Sequence, residues 1–102
     1  MKKTYNKLVR DKIPEIILAS GETPKTRVLE DKEYAEELIK KLREELAEFE
    51  ADRSIEELAD IQEVILAIAD VLGSREELER VRTDKAKKRG GFKKRIFLET
   101  TS

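Results

Sequence analysis

Cysteine, histidine and tryptophan are all missing from this chain. Without cysteine there is no disulfide framework and no thiol nucleophile. Without histidine as well, zinc and copper sites, haem ligation through His or Cys, and histidine-based triads lose their usual residues. A metal here must be held by oxygen, which points to Mg²⁺, Mn²⁺ or Ca²⁺ on carboxylates. Proton handling falls to carboxylates, lysine, tyrosine or metal-bound water. An excess of either charge is also missing, since 22 Lys and Arg face 23 Asp and Glu for a net charge of -1. Such a chain sets up no general positive field for a nucleic-acid polymer. No apolar run reaches a membrane-crossing length. The Met-Lys-Lys opening resembles a leader, but Pro14 and Glu15 interrupt the apolar stretch 13–19. The expectation is a single domain over residues 1–102, soluble and cytoplasmic, with no membrane partner.

What the chain does have is helical pattern and charge, with 44% of residues charged. A first helix is expected from about Asp11, with Pro14 tolerated in its first turn and Gly21 closing it. A second should run from an Asp31 N-cap to about Ala51, with Leu38, Leu42, Leu46 and Phe49 forming a buried stripe. Glu36–Lys40 and Glu37–Lys41 are favourable pairs four residues apart on its outer face. A third, over 54–72, is apolar almost all round at its centre and should be buried on several sides. Gly73-Ser74 starts a fourth, which Gly90-Gly91 stops. Segments 27–30 and 92–100 alternate enough for two short strands that would pair. The fold class expected is therefore all-α, an antiparallel bundle of about four helices with a minor two-stranded β element.

The stretch 43–60, REELAEFEADRSIEELAD, departs from an ordinary solvated helix. It joins the second and third helices through a tight turn at 51–53. Folding back about that turn sets Glu48 level with Glu57, and Glu45 level with Asp60. Helices in contact lie about 8–10 Å apart, so the four carboxylates can reach a shared point. Keeping them ionised and close is costly unless a cation joins them. Two duller readings compete. Acidic helix faces are usually just solvated, yet Glu48, Glu57 and Asp60 have no Lys or Arg four residues on. Ser54 with Glu57 also spells a capping box, in which Glu57 would bond back to the backbone at Ser54. Capping accounts for Glu57 but leaves Glu45, Glu48 and Asp60 unexplained. Among cationic residues, Lys85 and Arg89 share one helix face and suit phosphate oxygens. Arg10 and Lys12 are further candidates, and the basic end of the fourth helix also simply suits the helix dipole.

Glu44-Glu45-x-x-Glu48 followed by Glu57-x-x-Asp60 resembles the EExxE…ExxD signature of the all-α nucleoside triphosphate pyrophosphohydrolases, the MazG-like superfamily. The opening KLVRDKIPEII and the closing RGGFKKRI are similar to a small subgroup labelled phosphoribosyl-ATP pyrophosphohydrolase-like. The resemblance implies an Mg²⁺-dependent hydrolase, with Mn²⁺ as a substitute. Its metal ligands would be Glu45, Glu48, Glu57 and Asp60, and Glu44 or Glu48 would accept a proton from water. Lys85 and Arg89, with Arg10 and Lys12, would hold a nucleotide substrate cleaved between its α- and β-phosphates. It further implies a homodimer or homotetramer, because one chain cannot cover its central helices. Only eight residues separate Glu48 from Glu57, fewer than in MazG itself, so the pocket beside the turn is not carried over. The alternative is a non-catalytic helical dimerisation module, or a nucleotide-binding regulator, that retains the fold.

Overall fold

The computed structural model describes residues 2–102. Met1, which opens the leader-like start, lies outside them. Each helix boundary follows from a local signal. Pro14 sits in the first turn of α1 (Ile13–Ala19), where its missing N–H is no loss. α1 starts two residues after the expected Asp11, because Asp11 and Lys12 form a turn ahead of it. Gly21, at φ +97°, takes the left-handed conformation that follows the helix. α2 (Asp31–Ala51) begins after an extended Glu30, so Asp31 is its first helical residue and not its cap. The acidic groups Asp31 and Glu33 in its first turn suit the positive end of the helix dipole. α3 (Ile55–Leu72) and α4 (Arg75–Arg89) are capped alike. The Ser54 and Ser74 hydroxyls accept from the backbone N–H groups of Glu57 and Glu77.

α2 and α3 fold against each other about the turn at 52–54, and α4 packs on α3. Among the described residues α1 packs on none of the other helices. The result is elongated, 61 × 31 × 24 Å. No strand forms among the described residues, contrary to the pairing expected of 27–30 and 92–100. Val28 and Phe92 are almost fully exposed, and a two-stranded pair without a surface to pack on is marginal. Arg27 is drawn instead to Glu33 in the first turn of α2, through two bonds of 3.0 and 2.6 Å. Arg95, at φ +58°, also breaks the extended path of the second segment.

The expected apolar stripe is only partly covered. Leu38 is buried, Leu42 and Phe49 are half-buried, and Leu46 is exposed. On α3, Val64 and Ala69 are buried while Ile65 and Val71 are exposed. Two facing helices cover one side of a stripe, so a helix apolar nearly all round keeps its other side open. The expected Glu36–Lys40 and Glu37–Lys41 pairs are not made. Lys40 bonds Glu37 at 2.9 Å, three residues back, and Lys41 turns the other way, toward Glu44 and Glu45. Among the described residues no helix is long and apolar enough to cross a membrane.

Candidate metal centre

Folding α2 onto α3 brings carboxylates together near the closed end of the hairpin. One oxygen from each of Glu45, Glu57 and Asp60 lies within 4.8 Å of the other two. Glu45 comes from the last two turns of α2, and the others from the first two turns of α3. Glu45 is 7% exposed, the only charged residue among the described ones to be buried. Its Oε1 faces Lys41 Nζ at 3.3 Å. Among the described residues its Oε2 is buried without a hydrogen-bond partner, and so is Oε2 of Glu57. An unpaired buried carboxylate oxygen is costly, and either a proton or a cation offsets that cost.

Glu48 is the expected ligand that stands apart. It is exposed and lies outside the trio whose oxygens converge. The level pairing inferred from the sequence therefore holds for Glu45 with Asp60, with Glu57 joining them. The capping box is only half made. The Ser54 hydroxyl accepts from Glu57 N–H at 3.2 Å, but the Ser54 N–H donates to the Asp52 carbonyl. The Glu57 carboxylate is thus free of capping duty and turns toward Glu45 and Asp60.

The electrostatics follow from this crowding. Burial pushes the Glu45 carboxyl above its ordinary range. Lys41 opposes that shift, while Glu48 and Asp60 add to it. Glu57 is raised by loss of solvent around its carboxylate and then by the charges of Asp60, Asp52 and Glu45. Glu44 behaves oppositely. Desolvation pushes its carboxyl up, but Lys7 and Lys41 together outweigh that and hold it below the usual value.

Cations the chain itself supplies surround the cluster. Lys41 Nζ reaches Glu44 at 3.4 Å from one turn away on α2. Lys7 Nζ meets Glu44 Oε1 at 3.0 Å, and Arg10 Nη2 meets Asp60 Oδ1 at 2.6 Å. Sequence reasoning had Arg10 as a phosphate contact and missed Lys7. The sequence pairs Lys41 with Glu37, whereas the structure turns it to Glu44 and Glu45, and nothing local to Lys7 marks its partner. Lys12 ends the turn ahead of α1, exposed and without an ion pair among the described residues. Lys85 and Arg89 stand exposed in the second half of α4, and neither pairs with the carboxylates. A surface hollow beside Arg27 and Glu33 lies at the start of α2 and away from the acidic cluster.

No protein-family model matches the chain, and no solved structure matches it. An uncharacterized protein of Mycolicibacterium smegmatis is 59% identical to it over 44 residues, 43% of this chain and 45% of that protein. The chain therefore spans less than half the length of the curated relative it matches.

Proposed function

We propose that the protein is a divalent-cation-dependent nucleotide pyrophosphohydrolase of the MazG-like type, active with Mg²⁺ and with Mn²⁺ in its place. The observation that carries this reading is the convergence of Glu45, Glu57 and Asp60, with a buried, partnerless oxygen on each of Glu45 and Glu57. An all-oxygen donor set of that kind fits a hard dication. Glu45, Glu57 and Asp60 would hold it, with Glu48 able to swing in from the exposed side. Such an ion supplies charge neutralisation of phosphate oxygens and acidifies water bound to it. Glu44, kept ionised by Lys7 and Lys41, and Glu48, open to solvent, are the carboxylates available to take a proton from attacking water. Basic side chains beside the cluster, Arg10 foremost, hold the phosphates; Lys85 and Arg89 serve if α4 or a second chain brings them close. Water attacks the α-phosphorus, the bond to the bridging oxygen breaks, and the products are a nucleoside monophosphate and pyrophosphate.

The test is pyrophosphate release from a panel of nucleoside triphosphates with Mg²⁺, for the native chain and for Asp60→Asn and Glu45→Gln. Release by the native chain that falls at least a hundredfold in both variants, with helix content unchanged, is the expected result. Native-like turnover by either variant refutes it.

The exposed apolar side chains of α2 and α3, among them Ile39, Leu46 and Ile65, favour a second element of the reading, a homodimer or homotetramer. They serve equally a dimerisation module or nucleotide-binding regulator without catalysis. Nucleotide binding with no pyrophosphate released over hours identifies the regulator. A melting temperature indifferent to Mg²⁺ identifies the inert module.

A further inference from the structure

The cations around the acidic cluster are of two kinds. Lys41 belongs to the same helix as Glu44 and Glu45, three and four residues before them. Its ammonium is largely covered, at 16% side-chain exposure, and its backbone is fixed inside α2. Lys7 and Arg10 come from the non-helical segment ahead of α1, 37 and 50 residues from their partners. They are 43% and 55% exposed, and α1, which follows them, packs on no other helix among the described residues. Asn6, at φ +45°, bends the chain just before Lys7, a conformation asparagine accepts more readily than most residues. Besides its ion pair with Asp60, Arg10 is steadied by its carbonyl, which accepts from Ile13 N–H at 3.0 Å.

From this placement we infer that Lys7 and Arg10 act as a tethered counter-ion pair, occupying Glu44 and Asp60 and yielding when a dication enters the cluster. The inference rests on the metal reading given above. Exposed ion pairs are individually weak and screened by water, so a directly ligated dication outcompetes them. Lys41 stays in place, because it serves Glu45 Oε1 and leaves Oε2 to the ion. The segment thus neutralises part of the site's negative charge before loading, and its release upon loading places two cationic side chains beside the incoming phosphates. Regulation follows from the same geometry: anything that holds the segment down raises the metal concentration needed.

The test uses the full chain and Mn²⁺ alone. Calorimetry should show Mn²⁺ binding about two- to fivefold tighter in Arg10→Gln than in the native chain, as expected from removing one exposed competitor. Deleting a positive charge nearby would tighten binding even if the segment never moved, so a second measurement decides. Lysine acetylation and phenylglyoxal modification, mapped by peptide mass spectrometry, report whether Lys7 and Arg10 are free. Their labelling should rise on adding Mn²⁺, while Lys2, Lys3 and Lys41 stay constant. Mn²⁺ binding with Lys7 and Arg10 labelling unchanged overturns the counter-ion role and leaves the metal site standing. Failure of the native chain to bind Mn²⁺ overturns both.

Discussion

Replacing Glu45 by Gln should change the sign of its effect on stability according to whether a divalent cation is present. In the metal-free protein the buried Glu45 carboxylate lies within 4.8 Å of oxygens from Glu57 and Asp60. Two unit charges at that distance repel by about 3.5 kcal/mol at an effective dielectric of 20. The real cost is smaller, because Asp60 is 37% exposed and paired with Arg10, and because Lys41 offsets part of the charge on Glu45. Adding the desolvation of a partnerless oxygen, about 1–3 kcal/mol, and subtracting the lost Lys41 attraction leaves a net gain of about 1–2 kcal/mol for Gln. Its amide can also donate to a neighbouring carboxylate. For a domain of this size the gain corresponds to about 5–10 °C in melting temperature. With Mg²⁺ at one hundred times its dissociation constant, the native chain gains about 2.7 kcal/mol that the variant forgoes. Glu45→Gln should then melt below the native protein. Thermal melts by circular dichroism, with EDTA and with Mg²⁺, measure both halves. A variant less stable than the native chain in EDTA, or one stabilised by Mg²⁺ as much as the native chain, refutes the electrostatic account of the cluster.

The pH dependence of the metal-free protein follows from the same groups. Glu45 and Glu57 have folded-state values raised above the ordinary 4.5, so they bind protons more readily folded than unfolded. The stability they confer is present at low pH and is lost as pH rises through their folded values. Glu44 is lowered, so its contribution is present above 4.5 and lost as pH falls through its folded value. Melts in EDTA from about pH 4 to pH 8 should therefore peak on the acid side of neutrality, and added Mg²⁺ should move that peak toward neutral pH; a peak unmoved by Mg²⁺ contradicts the assignment. Ser54→Ala removes the hydroxyl that accepts from Glu57 N–H at 3.2 Å. It should cost about 1 kcal/mol of stability, and because it loosens the first turn of α3 it should also weaken Mn²⁺ binding. Ser74→Ala, with the same bond at the start of α4, should cost as much stability without affecting Mn²⁺, a contrast that calorimetry on the two variants checks.

Much of this architecture lies in local pattern. Pro14, Ser54, Ser74 and the glycines at 21 and 73 mark helix ends within a residue or two, because capping involves only neighbours in the chain. The acidic spacing around 51–53 likewise sets Glu45 across from Asp60, since two helices and a tight turn leave few registers. Patterning misled where the outcome depended on what stands opposite. Leu46 reads as core, but a single chain has nothing to place over it. The segments 27–30 and 92–100 alternate like strands, yet find no sheet to join.

The chain's own residues, taken in order, determined that any metal here must be bound by oxygen and that the helices would number four. Composition and short-range spacing carry both facts. Only the folded arrangement decided that Glu57 turns inward, that Glu48 stays outside, and that Lys7 and Arg10 arrive from dozens of residues away to neutralise Glu44 and Asp60. Attraction between charges depends on distance through space, and distance along the chain does not reveal it.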